Sequence, residues 1–470
     1  MSDVGPAKVI DPDLRDSPRD SHALLIGGAG TFGMRIVLVA GQFGAVAWLS
    51  HTLAPAAFGV FGLLLSSQTL LRFLGAFGLD QIVVREVAGA LHRGDRAEVG
   101  ATIRGALWRT LGLSLVAAAV MAGLIAAFAG ADPLRIGGPL TLTVLAMVPL
   151  TAVMAVLAAA ARSLGRPLLA QMPEVVVFYL ILLGGLALAT MRGGVTLPAA
   201  ILSLFAAQTG AVAALALLCL GAIRWRGETA NTARFPAKEA GSIFIGLALT
   251  AILQRASAPL AFVLLGPVTS GLMDVAFRLG SLNSLVAWSM SFIAAPIVSR
   301  LWIAGERDEA RRLTAMSSLI CGATGIIQTL VFLFAGSFIL KLGFGARFGG
   351  AWPALMVFSI AFAGNGLFGA WSVLYRAAQR DILIFYWAGI SGFAFVAAAL
   401  ASYFGHFGLV GVAVATALGL LVRDGLVYVG ALRLIGDARQ PYRADVLIEM
   451  RALVQGGFLR LKRARLAQEG

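Results

Sequence analysis

The sequence predicts an all-α polytopic membrane protein whose twelve transmembrane helices form two six-helix lobes related by an internal repeat. Composition supports the membrane class, because 59% of the 470 residues are hydrophobic, 13% are charged and the mean hydropathy is +0.88. A chain with so few polar residues cannot cover the water-exposed surface of soluble domains of this size. A duplicated pattern in the sequence supports the division into two lobes.

The internal repeat is visible in a motif that occurs twice. LAPAAFG, which starts at Leu53, returns as LGPVTSG from Leu265, with leucine, proline and glycine in the same places 212 positions later. A polar loop follows each copy, GDRAE from Gly94 and GERDE from Gly305. A period this long is too long for a solenoid, and duplication around a central site is a common plan of membrane transporters.

Twelve apolar segments are each long enough to cross a hydrocarbon layer of about 30 Å, which takes about 20 helical residues. The predicted spans are 22–50, 57–80, 103–129, 137–160, 168–190, 196–221, 240–264, 269–298, 314–340, 350–375, 382–404 and 408–432. They divide the chain into five parts: a disordered tail over 1–21, an N-terminal lobe over 22–223, a linker over 224–238, a C-terminal lobe over 239–434, and a basic amphipathic tail over 435–470.

Charge orients the helices. With the amino terminus inside, 27 Lys and Arg fall in inner segments, counting Arg104 at the start of the third span, and four fall outside. This asymmetry predicts that both termini are cytoplasmic. The basic tail over 435–470 is consistent with binding to the anionic inner leaflet and equally with an ordinary solvated tail. The net charge of +14 does not indicate nucleic acid, because the cations lie in short clusters between apolar runs.

Motifs for common enzyme chemistry are absent or out of context. Gly28, Gly30 and Gly33 spell GxGxxG, but they lie inside the first apolar span, where small residues allow close helix packing. The sequence has no GxxxxGK[ST] phosphate loop, and its four histidines lack metal-ligand spacing. Both cysteines fall in apolar segments. We therefore expect neither a cofactor nor a metal, and no catalytic residue.

Four arginines lie within predicted spans, on the first two helices of each half: Arg35, Arg72, Arg255 and Arg278. An arginine in the hydrocarbon layer costs several kcal/mol and usually faces a bundle interior or a watery cavity. The planar guanidinium group of arginine binds phosphate through two hydrogen bonds and stays charged. The four arginines therefore predict a lumen for an anion such as a diphosphate headgroup. The alternative for Arg278 is a structural ion pair with Asp274, at i,i+4 spacing.

Other polar residues in the predicted spans are candidates for lining the lumen, for joining helices or for proton coupling. Amides that could line the same lumen, or instead tie helices together, are Gln42, Gln68, Gln254, Asn283, Gln328 and Asn365. Glu174 and Asp274 are candidates for proton coupling, because a buried carboxylate must pair or take up a proton.

The sequence resembles the polysaccharide and O-antigen flippases of the MATE-like MOP exporter superfamily. The resemblance covers most of residues 22–435 and is carried by LAPAAFGVF, FGLDQIVVREVA, RSLGRP, LLGPVTSGLMDVAFRLGSL, AAPIVSRLWIAGE and LYRAAQRD. It implies two lobes that rock around a cationic cavity. It also assigns headgroup contacts to the four span arginines by their position on the helices. The chain departs from the common family pattern in having Arg255 after Gln254 and Phe277 before Arg278.

The resemblance implies that the protein is a flippase without enzymatic activity. Its substrate would be an undecaprenyl-diphosphate-linked oligosaccharide, moved across the bacterial inner membrane for lipopolysaccharide or exopolysaccharide synthesis. Implied partners are membrane lipid, a polysaccharide polymerase and a chain-length regulator, with no nucleic acid. The alternative is a MATE-like ion-coupled antiporter that exports a small molecule. A polysaccharide polymerase or ligase is less consistent with the sequence, because the predicted outer loops are short.

Overall fold

The computed structural model describes residues 18–129, 138–225, 237–378, 380 and 382–435. The described chain is almost entirely helical, as the apolar sequence requires, since a helix satisfies its backbone hydrogen bonds within one segment. The predicted linker and both predicted tails fall largely outside these residues. The part of the first tail that is described, from Pro18, already belongs to the first helix.

The N-terminal lobe is defined here as the first eight helices. Their bounds are α1 Pro18–Thr52, α2 Pro55–Ala76, α3 Leu79–His92, α4 Arg96–Ala129, α5 Gly138–Ser163, α6 Pro167–Met172, α7 Phe178–Met191 and α8 Leu197–Arg224. A π-helical turn, Pro173–Val177, joins α6 to α7 so that the three form one continuous rod.

The C-terminal lobe is defined here as the remaining nine helices. Their bounds are α9 Ala237–Arg255, α10 Ser257–Leu265, α11 Pro267–Gly280, α12 Ser284–Ile303, α13 Arg307–Phe344, α14 Trp352–Gly369, α15 Ser372–Ala377, α16 Ile382–Phe404 and α17 Gly408–Ile435. Short 3-10 turns, Ser281–Asn283 and Ala346–Ala351, connect α11 to α12 and α13 to α14.

Each of the twelve predicted spans coincides with a helix or a run of helices. Within the described residues, nine segments are long and apolar enough to cross a membrane by themselves. A tenth is the pair α9 and α10, which bends by 61° at Ala256. Helix α3 lies beyond the second span and was not predicted separately. It is amphipathic, with Ile82, Val83 and Val87 buried on one face.

The helices define two ends of the bundle. The basic end carries the turns around Arg93, Arg166 and Arg307, whereas the far end carries Pro55 and Pro267, where α2 and α11 begin. These two prolines are the repeated motif of the sequence, and each occupies the first helical position, where a missing backbone N–H costs nothing.

The lobes meet mainly along α2 and α11. Gly59 allows this approach, because a Cβ at that position would overlap the carbonyl oxygen of Pro267. At the far end, Arg347 donates to the carbonyl oxygens of Ser50 and Leu53, the latter at 2.9 Å. It therefore caps the last turn of α1 from the other lobe.

Aromatic rings add to the contact between the lobes at both ends. At the far end, Phe58 of α2 packs edge-on against Phe348, with 5.1 Å between ring centroids. At the basic end, Phe77 stacks on Phe244 of α9 at 4.5 Å. The two lobes thus contact each other at both ends of the α2 helix.

Candidate functional site

The relative position of α1 and the α6–α7 rod places two charged side chains at one level. Gly30 of α1 packs against Leu168, and eleven residues later Gly41 packs against Tyr179, eleven residues further along the rod. The two elements therefore run side by side in constant register. Arg35 consequently lies at the level of the π-helical turn that carries Glu174.

Glu174 pairs with an arginine from a third element. Its carboxylate lies 2.9 Å from a terminal nitrogen of Arg72 on α2, and the two side chains are 19% and 24% exposed. Arg72 is 17 residues from Pro55, roughly 25 Å from the far end at 1.5 Å per residue. The π-helical turn matters here, because such single turns occur often at functional sites and redirect the side chains that follow.

Arg35 has no carboxylate within ion-pairing distance in the part of the chain that the structure describes. Its guanidinium instead lies 4.3 Å above the ring centre of Trp288, on α12 of the other lobe. Glu174 and Arg72 both act on it electrostatically, which places the three charges close together. We call Arg35, Arg72 and Glu174 the middle layer. This layer holds two guanidinium groups and one carboxylate.

A second group of charges lies closer to the far end. Arg278 and Asp274 form an ion pair of 2.6 Å on one face of α11, and each side chain is 3% exposed. The pair indicated by their spacing is thus present. Arg278 is eleven residues from Pro267, roughly 16 Å from the far end. This group therefore lies roughly 10 Å beyond the middle layer along the bundle axis.

Arg255 lies beside that pair, at the last residue of α9 before the bend. Its guanidinium is 5.7 Å from the ring centre of Phe277, and no carboxylate within the described ranges forms an ion pair with it. Arg278, Asp274 and Tyr179 act on it electrostatically. We call Arg255, Arg278, Asp274 and Tyr179 the deep layer. It has contributions from both lobes, because Tyr179 belongs to α7.

The structure therefore brings the four predicted arginines into two layers. Arg35, Arg72 and Arg255 are half-buried, whereas Arg278 is buried. Of the two proton-coupling candidates, Glu174 is partly reached by solvent and Asp274 is enclosed with its arginine.

Some of the predicted lumen amides form packing contacts between helices, and others do not. Asn283 donates to the carbonyl oxygens of Cys321 and Phe362 at 3.2 and 3.1 Å, and Asn365 donates to Asp424 at 2.7 Å. Both therefore tie helices of the C-terminal lobe together.

The glutamines divide into two that form hydrogen bonds with other helices and two that do not. Gln328 donates to Gly280 at 2.9 Å and ties α13 to α11, and Gln68 contacts Gln208 at 3.4 Å. Gln42 and Gln254 are half-buried and form no hydrogen bond through their amides within the described part of the chain. Gln254 precedes Arg255, so it is the amide best placed to serve the deep layer.

Residues that sequence reasoning did not assign to the site are Tyr179, Trp288 and Arg162. The first two are aromatic residues in apolar spans, where a ring gives no signal of its own. Arg162 interacts electrostatically with Arg72, Glu174 and Asp80, although its position before a turn resembles that of an ordinary loop cation.

No protein-family model matches the sequence, and no curated protein matches it. Solved structures do match the fold. An inward-facing multidrug resistance MATE family transporter of the MOP superfamily superposes with a TM-score of 0.67 at 12% identity, over 86% of this chain and 98% of that one.

Two further structures are informative. A MOP superfamily transporter from Pyrococcus furiosus, described as having a binding pocket of reversed polarity, gives a TM-score of 0.61 at 14% identity, over 90% of this chain and 97% of that one. The lipid II flippase MurJ in an inward closed conformation gives 0.62 at 13% identity, over 88% of this chain and 87% of that one. This chain therefore has the fold of the MATE and MOP-superfamily transporters.

Proposed function

We propose that this protein is a flippase that moves a polyprenyl-diphosphate-linked oligosaccharide across the bacterial inner membrane by alternating access, for lipopolysaccharide or exopolysaccharide synthesis. The observation that carries the proposal is the excess of guanidinium groups in the two layers. Together the layers hold four arginines and two carboxylates, a formal excess of two positive charges.

That excess suits a diphosphate diester, which carries two negative charges at neutral pH. Within a membrane, unpaired positive charge is costly unless a ligand or water compensates it. Of the four arginines in the two layers, Arg35 and Arg255 have no carboxylate partner among the described residues. Their guanidinium groups lie 4.3 and 5.7 Å from the centre of an aromatic ring. A guanidinium group beside a ring can still donate two hydrogen bonds to phosphate through its edge.

The fold is compatible with this substrate class. One structural neighbour is a lipid II flippase, and another is described as having a binding pocket of reversed polarity. We assign the basic end of the bundle to the cytoplasm, following the distribution of Lys and Arg. The headgroup would then bind between the lobes from the basic end, while the polyprenyl chain stays in lipid.

The same fold also occurs in multidrug MATE transporters, so a small-molecule antiporter is the competing function. The positive excess argues against a cationic drug, because like charges in a low-dielectric cleft repel strongly. Proton coupling through Glu174 is compatible with either function, since this carboxylate is partly exposed and paired with Arg72.

A reconstituted transport assay tests the proposal. Proteoliposomes would carry the purified protein and a fluorescent polyprenyl-diphosphate oligosaccharide, and a membrane-impermeant quencher would report its movement between leaflets. We expect Arg72→Ala and Arg35→Ala to slow the movement at least about tenfold, since each removes a charge-assisted hydrogen bond worth roughly 1.5–3 kcal/mol. Arg192→Ala is the matched control, because Arg192 is exposed at the far end of α7.

The outcomes separate the candidate functions. Movement that is equal for wild type and protein-free liposomes would contradict the flippase proposal. Unchanged glycan movement in both variants, with loss of drug efflux in cells, would favour the antiporter. Detectable glycosyl transfer by the purified protein would instead indicate an enzyme.

A further inference from the structure

Arg162 lies closer to the basic end of the bundle than the middle layer does. Gly75 of α2 packs against Ala152 of α5, which fixes the relative level of these two helices. Arg162 follows ten residues later, in the last turn of α5, so it lies roughly 15 Å further toward the basic end. Helix α2 ends at Ala76, and Arg162 therefore lies beyond its last residue, on the side of the basic end.

The obvious structural partner of Arg162 does not pair with it. Asp80, at the start of α3, is 6% exposed and lies in electrostatic range, but it forms no ion pair with Arg162. One Asp80 oxygen accepts from the side chain of Gln81 at 2.8 Å, and the other has no hydrogen-bond partner in the described part of the chain. The half-buried guanidinium of Arg162 is thus held near a carboxylate without being neutralised by it.

The arginines then form a series along the α6–α7 rod. Arg162 lies nearest the basic end, Arg72 and Arg35 lie at the level of Glu174, and Arg255 lies at the level of Tyr179. By the helical rise, Arg162 lies roughly 20 Å from the middle layer along the axis, and the middle layer lies roughly 10 Å from the deep layer. Long arginine side chains shorten both gaps, and Arg162 and Arg72 act on each other electrostatically. An anion could therefore pass from one member to the next without leaving positive potential.

We propose that Arg162 is the entry contact of this path, a binding residue that captures a diphosphate group at the mouth and delivers it to Arg72 and Arg35. This inference rests on the proposed function and adds to it a residue and an order of binding. A charge at the rim of a cleft acts mainly on the association rate, whereas a desolvated contact acts mainly on dissociation. Arg162 therefore governs capture, and Arg72 governs retention.

Binding kinetics test this division. The probe is farnesyl diphosphate, measured by surface plasmon resonance on the full-length protein in lipid nanodiscs, with farnesol as the uncharged reference. We expect Arg162→Ala to lower the association rate roughly tenfold and to weaken its dependence on salt, as loss of electrostatic steering does. Arg72→Ala should instead raise the dissociation rate.

Arg166→Ala is the matched control, because Arg166 is exposed four residues further on in the same turn region. It should leave both rate constants unchanged. Arg162→Lys keeps the charge and loses the planar fork, so it should recover most of the association rate. Arg162→Gln serves as the second neutral variant, with size-exclusion profile and thermal unfolding as checks on folding.

Each result has one meaning. If wild type binds farnesyl diphosphate no better than farnesol, the proposed function fails. If wild type binds it and Arg72→Ala weakens binding while Arg162→Ala and Arg162→Gln behave like Arg166→Ala, only the entry role is overturned. An effect of Arg162 variants confined to dissociation would overturn the entry role as well.

Discussion

Two arginine–carboxylate pairs in this protein share their chemistry and differ in their surroundings. Arg278 and Asp274 lie 2.6 Å apart on a single helix, each 3% exposed. Arg72 and Glu174 lie 2.9 Å apart but belong to α2 and to the π-helical turn, and they are 24% and 19% exposed. The first pair lies on one helix and is almost fully buried, whereas the second joins two elements and its side chains are partly exposed, although the Glu174 oxygen that faces Arg72 is itself buried.

From this difference we infer that the first pair is fixed and the second is exchangeable. In the fixed pair, neither partner can be replaced without leaving a charge buried in the protein, which is strongly unfavourable. In the exchangeable pair, we expect an incoming anion to take the place of Glu174 on Arg72, because water and neighbouring Arg35 would share the displaced charge. On this inference, one pair serves structure and the other serves ligand exchange.

The largest effect should follow from Asp274→Ala. This substitution leaves Arg278 buried without its partner, so we expect a loss of about 3–5 kcal/mol in stability. The measurement is thermal unfolding of the purified protein in detergent, together with the yield of monodisperse protein.

The double variant Asp274→Leu with Arg278→Met is the control. Replacing a whole buried pair by apolar side chains is often neutral or stabilising, so this variant should unfold close to wild type. Melting of Asp274→Ala at the wild-type temperature would show that the pair is not a fixed structural element.

Arg347 provides a third case, an arginine that binds carbonyl groups across the lobes. Arg347→Ala removes its hydrogen bonds to Ser50 and Leu53. Hydrogen bonds from a charged group contribute about 1.5–3 kcal/mol, so we expect a shift of roughly tenfold or more toward conformations open at the far end. Spin labels at Thr52 and Lys341, measured by double electron–electron resonance, should report a longer distance.

The buried positions of Cys219 and Cys321 favour selective labelling at the two introduced cysteines. Arg192→Ala, also at the far end and exposed, should not change the distance. An unchanged distribution in Arg347→Ala would show that Arg347 does not hold the far end closed.

Glu174→Gln should lower stability less than Asp274→Ala does. It should strengthen binding of the anion, whereas Arg72→Ala should weaken it. The glutamine keeps the shape of the side chain but gives Arg72 no negative charge, and we expect a smaller loss of stability than for Asp274→Ala, because this pair is less buried. Because the competing carboxylate is gone, farnesyl diphosphate should bind about fivefold more tightly, equivalent to roughly 1 kcal/mol. Unchanged or weaker affinity in the kinetic assay described above would mean that the pair is not exchangeable.

The smallest effect should come from Arg93→Ala at the basic end. Arg93 lies 2.8 Å from Glu98, and the side chain of Arg93 is 56% exposed. The hydrogen bond to Glu98 raises the pKa of Arg93, but solvent screens a pair of this kind. We expect wild-type unfolding temperature and wild-type transport, and a clear loss of either would show that exposure alone does not rank these pairs.

The sequence predicted where the helices lie and which charged residues lie within them. Long apolar runs predict helices because the membrane leaves no other use for the backbone, and each predicted span falls on a helix or a run of helices. Asp274 and Arg278 could be paired from their spacing, since residues four apart share a helix face.

The exchangeable pair could not be predicted in the same way. Arg72 and Glu174 are 102 positions apart, and only the packing of α2 against the α6–α7 rod brings them together. Arg162 was overlooked because a cation next to a turn usually faces solvent. Its distance from the middle layer depends on how far α5 extends beyond α2, which no local pattern encodes.

The π-helical turn Pro173–Val177 contains one residue more than an α-helical turn would need. Each residue advances a helix by about 100°, so the turn sets the rotational phase between Glu174 and Tyr179. Because the π turn accommodates its extra residue locally, deleting one residue there would give a regular α-helix and leave the direction of the later side chains nearly unchanged. The side chains within the turn would change direction, and Glu174 is one of them. The meeting of Glu174 with Arg72 is therefore set by one extra amino acid, and a one-codon deletion would separate the two charges.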